Sequence, residues 1–170
     1  MISLVQAGSL ACRDRVRELF SEYAASLAID LCFQQFDQEL AELPGGYAPP
    51  EGRLLIAKDT KMDAGCVALR KIGPGICEMK RLYVRPPFRG KGIGRCLAMS
   101  ISAEAQAIGY ERVRLDTLPF MKEALTLYRS IGFYEIQPYG DHPICGTICL
   151  EMDLRKAAIG LWSSTKDLQP

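Results

Sequence analysis

The feature that most constrains the fold of this chain is the segment Arg85-Pro86-Pro87-Phe88-Arg89-Gly90-Lys91-Gly92-Ile93-Gly94. A run that reads as a strand, Ile76 to Val84, leads into it. A helical pattern leaves it, with Ile93, Leu97, Ile101, Ala105 and Ile108 on one stripe and Gly109 where a C-cap belongs. A strand, a proline-stiffened turn and glycines at a helix start together make an anion cradle. The first helical turn has four N–H groups without intrahelical partners, and the macrodipole adds partial positive charge. Glycines let a phosphate approach the backbone, and Arg89 and Lys91 add formal charge. Spacing excludes two common phosphate loops. GxxxxGK[ST] needs glycine where Arg85 stands and Ser or Thr where Gly92 stands. GxGxxG fits Gly90 and Gly92, but its third glycine is Arg95, and the preceding strands form no βαβ unit. The pyrophosphate-loop pattern [RQ]xxGx[GA] is satisfied by Arg89, Gly92 and Gly94.

The elements around this segment follow from periodicity. Residues 2–7 read as a short strand. Val16, Leu19, Phe20, Tyr23, Ala24 and Leu27 recur at helical spacing, and Phe33, Phe36, Leu40 and Leu43 predict a second helix after a bend near Asp30. A Pro/Gly loop over 44–50 ends it. Three strands at short spacing then predict an antiparallel meander: 53–58, Cys66 to Leu69, and Ile76 to Val84. Their turns are the polar stretch 59–63 and Gly73-Pro74-Gly75. Beyond the glycine-rich helix, Val113 and Leu115 mark a strand. Ala124, Leu127, Tyr128 and Ile131 mark a helix face stopped by Gly132. Phe133 to Ile136, and then Ile148, Leu150, Met152 and Leu154, mark two final strands. The order β-α-α-β-β-β-α-β-α-β-β predicts a mixed α/β fold, a mostly antiparallel twisted sheet with helices on both faces. One domain over 1–154 is expected, with 155–170 as a weakly periodic C-terminal tail.

Composition narrows the function classes. The 170 residues carry 21 Lys+Arg against 20 Asp+Glu, a net charge of +1. That balance argues against general nucleic-acid binding, which needs clustered cations. No apolar run is long enough to span a membrane, and the first residues lack a signal-peptide pattern, so a cytoplasmic protein is expected. The seven cysteines (Cys12, Cys32, Cys66, Cys77, Cys96, Cys145 and Cys149) have irregular spacing and no CxxC. Reduced thiols are expected, mostly as small buried hydrophobes. His142, Cys145 and Cys149 match no zinc spacing, so no metal is expected.

A second motif turns these observations toward a family. Ala124-Leu125-Thr126-Leu127-Tyr128-Arg129-Ser130-Ile131-Gly132-Phe133 fits A-x-x-L-Y-x-x-x-G-F. With the Arg89–Gly94 loop and Leu82-Tyr83-Val84 before it, the chain resembles the GNAT superfamily of acyl-CoA-dependent N-acyltransferases from about Ile2 to Leu154. The resemblance implies a sheet splayed between the fourth and fifth strands, with the pantetheine arm of acetyl-CoA paired to the backbone around Leu82, Tyr83 and Val84. It implies pyrophosphate held by Arg89, Gly90, Lys91, Gly92, Ile93, Gly94 and Arg95. It implies direct attack by an amine, Glu78 as general base, the Leu82 N–H as oxyanion donor, and Tyr128 facing the leaving sulfur as proton donor. Glu78 also reads as a surface carboxylate pairing with Lys80 or Arg81, and Tyr128 as a core tyrosine. Arg81 and Arg85 read equally as cofactor contacts or as solvated cations. In one respect the chain departs from the family. Met121 stands where the family often has Asn, so an amide contact to the cofactor is absent or replaced.

The family's acceptor side corresponds to Asp30 to Tyr47 and Tyr139 to Gly146. These stretches contain Asp30, Asp37, Glu39, Asp141 and the only histidine, His142. Carboxylates there can hold a cationic amine or simply form a solvated face. His142 is a second candidate base or a loop histidine. A small-molecule, amino-acid-like amine is the preferred acceptor, by family habit, and a homodimer is compatible with it. The alternative is a non-catalytic acyl-CoA-binding sensor, which would share the loop and differ at Glu78 and Tyr128.

Overall fold

The computed structural model describes residues 1–8, 10–27, 35–140 and 144–157. In chain order the elements are β1 (Ile2–Gln6), α1 (Leu10–Ser26), α2 (Phe36–Glu42), β2 (Arg53–Asp59), β3 (Met62–Gly73), β4 (Ile76–Val84), α3 (Ile93–Ile108), β5 (Arg112–Thr117), α4 (Lys122–Ser130), β6 (Tyr134–Ile136) and β7 (Ile148–Asp153). This is the order predicted from periodicity. The predicted bend near Asp30 and the tail from 158 onward lie outside the described residues.

The strands form one sheet in the order β1-β2-β3-β4-β5-β7-β6. All neighbours are antiparallel except β4 and β5. The β2–β3 turn is tighter than the polar stretch suggested. Asp59 already faces Met62, with Thr60 in the left-handed region at φ 55°. The β3–β4 turn is Pro74-Gly75, where Gly75 supplies φ 68°.

Strand alternation feeds two cores. On β2, Leu55 and Ala57 point to the α3–α4 side, where they join Val67, Leu69, Met79, Leu97 and Ile101. Leu54 and Ile56 point to the α1–α2 side and join Val16, Leu19, Phe20 and Phe36. Each fully buried large side chain contributes about 1.5–3 kcal/mol, so helices are retained on both faces. α3 ends as its sequence dictates, with Gly109 at φ 106° closing the helix. On α4 the buried pair is Leu125 and Tyr128 rather than Leu127 and Tyr128. Leu127 instead faces the α3 N-terminus, with its Cδ2 3.6 Å from where a Cβ on Gly94 would lie.

Two irregularities position the site. β4 carries one extra residue opposite β3 between Lys80 and Tyr83, a bulge with Arg81 at φ 58°. On its other edge, β4 pairs with β5 only at Ile76–Arg112, Cys77–Val113 and Glu78–Arg114. From Met79 onward the two strands part.

Candidate active site

The parting of β4 from β5 opens a cleft of about 540 Å³, within the size range of small-molecule sites. Glu78 sits at its closed end, Tyr128 and Met121 on the α4 side, and Glu39 and Tyr23 on the α1–α2 side.

Glu78 is buried, at 4% exposure, and so is not a surface carboxylate. Its Oε2 accepts from Arg70 Nε at 2.8 Å and lies 2.7 Å from Arg70 Nη2. Its Oε1 accepts from the Tyr139 hydroxyl at 3.0 Å. Lys80 stands 4.0 Å from Oε1, while Arg81 is engaged elsewhere. The antiparallel register places Arg70 opposite Glu78, which the Gly73-Pro74-Gly75 turn could have revealed. Tyr139, 61 residues away in the loop after β6, carried no such signal. Burial, reinforced by the Glu78 charge, pushes the Tyr139 phenol well above its ordinary value, so it stays a donor.

The row continues across the sheet. Arg114 lies beside Glu78, Glu151 opposite Arg114, and Tyr134 opposite Glu151. Arg114 Nε donates to Glu151 Oε2 at 2.7 Å, and its guanidinium lies 5.2 Å from the Tyr139 ring centroid. Just beyond, where the β4–β5 ladder would have continued, Lys80 Nζ donates to Asp116 Oδ1 at 3.0 Å across the opening. Sequence reasoning did not single out Arg70, Arg114 or the Lys80–Asp116 pair.

The bulge is pinned from α2. Arg81 donates from Nε to Glu39 Oε1 at 3.0 Å and from Nη2 to Oε2 at 2.5 Å, with its guanidinium 5.2 Å from the Phe36 ring centroid. Tyr47 adds a hydroxyl bond to Glu39 Oε1 at 2.8 Å. Burial alone would raise the Glu39 carboxyl, but the bond and charge of Arg81 outweigh it and hold it low. Glu39 is therefore committed to Arg81 rather than offered to an amine. Asp37 is exposed on α2, and Asp30, Asp141 and His142 lie outside the described residues. Arg85 bonds Glu18 and Glu22 of α1, so it serves the fold rather than a ligand.

At the open end of β4, the loop has the form of a cradle. Gly90 and Gly92 take φ 76° and 75°, and a Cβ on either would meet nothing within 4 Å. Gly92 is the N-cap of α3 and provides no side-chain cap, so the first-turn amides of Ile93, Gly94 and Arg95 are left for an external acceptor. The Ile93 side chain is buried in the core. Arg89 donates to the Val84 carbonyl at 3.0 Å, Lys91 lies 5.3 Å from the Phe88 ring centroid, and Arg95 bonds Ser130 at 2.9 Å. Among the described residues, β4 has no ladder partner on the β5 side at Leu82 and Val84. Leu82 lines the cleft, whereas the Tyr83 side chain packs edge-on against Tyr23 on the opposite side. An open, uncapped, positively charged loop beside an unpaired strand edge fits a pyrophosphate carrying an extended amide arm. Met121 lines the cleft at the N-cap of α4, with its sulfur 3.7 Å from Thr117 Oγ1.

Tyr128 lines the cleft with its ring 5.7 Å from Phe133, so it belongs to both core and site. Burial pushes its ionisation well above the ordinary phenol value. Among the described residues no group of three His, Cys, Asp or Glu could hold a metal ion. Of the described cysteines, Cys145 is exposed and Cys149 buried. No described helix is long and apolar enough to cross a membrane.

Known proteins place this architecture. The sequence pattern of the acetyltransferase (GNAT) domain matches residues 50–135, half of the chain. An uncharacterised N-acetyltransferase of Schizosaccharomyces pombe is 41% identical over 145 residues, covering 84% of this chain and 89% of that protein. An IAA acetyltransferase of Azospirillum brasilense is 36% identical over 97 residues, 56% of this chain and 63% of that one. In fold, a GNAT-family acetyltransferase of Staphylococcus aureus superposes with TM-score 0.75 at 16% identity, covering 91% of this chain and 99% of that one. The PaiA N-acetyltransferase of Thermoplasma acidophilum, crystallised with coenzyme A, superposes with TM-score 0.69 at 17% identity, covering 90% and 99%. The bulged fourth strand, its parting from the fifth and the glycine cradle at its end thus sit in a chain that belongs to the GNAT acetyltransferase family.

Proposed function

We propose that this protein is an N-acetyltransferase that moves an acetyl group from acetyl-CoA to a primary amine of a small molecule, by direct attack in a ternary complex. The observation that carries this reading is the position of Glu78 at the vertex of the β4–β5 opening, with the cradle at the open end of the same strand. The coenzyme A complex of the PaiA neighbour supports the donor, and the relatives named N-acetyltransferases support transfer to nitrogen.

Bound acetyl-CoA supplies an activated acyl thioester. The backbone amides from Arg89 to Arg95 hold its pyrophosphate, and the β4 edge at Leu82 and Val84, which lacks a β5 ladder partner and whose Val84 carbonyl accepts from Arg89, holds its amide arm. Tyr83 contributes backbone only, because its ring is in the core. Glu78 takes a proton from the incoming ammonium, directly at Oε1 or through one water, since Oε2 is occupied by Arg70. Arg70 and Tyr139 fix the carboxylate's orientation. The Leu82 N–H is offered to the thioester oxygen. Tyr128, kept protonated by its burial, is offered to the leaving sulfur.

Steady-state assay of the purified protein with acetyl-CoA and an amine panel tests this. Amine-dependent CoA release is expected, and Glu78→Gln should lower kcat by about 10²- to 10⁴-fold, the range of general-base contributions. Affinity for acetyl-CoA should be retained. Binding of acetyl-CoA without turnover of any amine would replace the enzyme by an acyl-CoA-binding module.

A further inference from the structure

We propose that the acceptor is an amine bearing a carboxylate, held by Arg70 and Arg114 on either side of Glu78. The inference rests on the acetyltransferase reading and specifies its acceptor. In the row across the sheet, Arg70, Glu78 and Arg114 occupy adjacent strands and line one cleft. Both arginines are only partly committed. Arg70 uses Nε and Nη2 on a single oxygen of Glu78, and Arg114 uses Nε on Glu151. Among the described residues, Nη1 of Arg70 and both Nη of Arg114 have no hydrogen-bond partner. The two side chains are 43% and 22% exposed, so these donors can reach a ligand. A planar guanidinium with free parallel N–H groups matches a carboxylate. The Tyr139 ring supports Arg114 from one side and fixes its plane.

The carboxylates of the cleft are in the opposite condition. Glu78 is taken by Arg70 and Tyr139, Glu39 by Arg81 and Tyr47, and Asp116 is bonded by Lys80. Among the described residues, the cleft wall therefore presents four cations, Arg70, Lys80, Arg81 and Arg114, against three carboxylates, Glu39, Glu78 and Asp116. Apart from Glu78 Oε1, which the amine is to meet, the unspent hydrogen-bonding capacity on which the acceptor rests is, among the described residues, that of Arg70 and Arg114. A polyamine would meet these guanidinium groups with like charge. An amino acid would place its carboxylate on them and its amine beside Glu78.

The test uses the full chain with acetyl-CoA and matched acceptors: amino acids, their carboxamides and the corresponding decarboxylated amines. Specificity constants are corrected for the fraction of neutral amine. A preference of at least about tenfold for the carboxylate form is expected, the scale of a lost charge-assisted bond. Arg114→Gln should raise KM for the amino acid by a similar factor, leave KM for acetyl-CoA unchanged and erase the preference. Arg70→Gln gives an independent arm should loss of the Arg114–Glu151 pair impair folding. Equal or better turnover of the carboxamide or decarboxylated amine overturns the proposal and leaves acetyl transfer intact. If no amine turns over, calorimetric titration of the CoA-loaded protein separates the two ideas. Binding of the amino acid but not its carboxamide upholds the acceptor site while the enzyme reading falls, and binding of neither overturns both.

Discussion

Gly92 and Gly94 stand two residues apart in one loop, yet a methyl group should affect them in opposite ways. Gly92 is the α3 N-cap at φ 75°, where an L side chain costs about 1–2 kcal/mol. The space above it is empty, and that space is where the proposed pyrophosphate lies. Gly94 is inside the helix, and an added Cβ would rest at ordinary contact distance from Leu127 and Val84, 3.6 and 3.7 Å. Alanine there regains up to about 0.5–1 kcal/mol of the backbone entropy glycine loses in a helix. Gly92→Ala is therefore expected to lower stability by about 1–2 kcal/mol and to weaken CoA binding. Gly94→Ala should leave both unchanged or raise stability slightly. Urea melts and calorimetric CoA titrations of the two variants check this, and equal effects would contradict it. The motif position occupied by Gly94 admits Ala and that of Gly92 does not, so this asymmetry was already legible in the sequence.

The bulge of β4 was implied by the family resemblance, in which the strand before the loop splays at a bulge, and was not legible from its own residues. Nothing in Lys80-Arg81-Leu82 announces a residue at φ 58°, because arginine has no preference for that region. The conformation is held by a partner 42 residues away, Glu39, which only the folded chain brings near. Periodicity found the helices and the longer strands because each has an apolar face. It missed Arg70, Tyr139 and the Arg81–Glu39 link because side-chain pairs across elements leave no periodic trace. The link joins the short α2 to the strand that shapes the cleft. Removing one partner of a buried ion pair costs about 3–5 kcal/mol, chiefly from the charge left behind. The Arg81 side chain is 3% exposed, so Glu39→Gln should approach that range and lower turnover as β4 loses its bend. The pH dependence has a defined sign. The Glu39 carboxyl is held below its ordinary value of 4.5, so its contribution is present above that pH and is lost as pH falls. Acid melts should therefore show a steep loss below about pH 4.5 that is shallower in Glu39→Gln. An unchanged acid limb would mean that Arg81 is held by other contacts.

At the scale of the whole molecule, the sheet is nearly divided at the site. β1 to β4 and β5 to β6 meet along only the three pairs from Ile76–Arg112 to Glu78–Arg114, with the Lys80–Asp116 bond just past them. The α3–α4 core spans the joint and holds the halves together, since Met79 of β4 and Leu115 of β5 both belong to it, whereas the strand residues of the α1–α2 core come from β2, β3 and β4. A ligand inserted between β4 and β5 would supply the ladder partner that β4 lacks, and would touch α3 and α4 as well. Such a ligand binds only the folded chain, because the unfolded chain has neither the parted strands nor an uncapped helix end beside them. Linkage then sets the size of the effect. At a concentration of one hundred times its dissociation constant, a ligand specific to the folded state adds about 2.7 kcal/mol. For a chain of this length each kcal/mol moves the midpoint by about 2–4 °C. Acetyl-CoA and CoA are thus expected to raise Tm by about 5–10 °C, with the increment growing logarithmically with concentration. The Gly92→Ala variant should show a smaller increment at the same concentrations. Adenosine diphosphate, which carries a pyrophosphate but no amide arm, should give a smaller shift than CoA if the β4 edge contributes. An equal shift would confine binding to the glycine cradle, and no shift with any of the three would remove acetyl-CoA from the site.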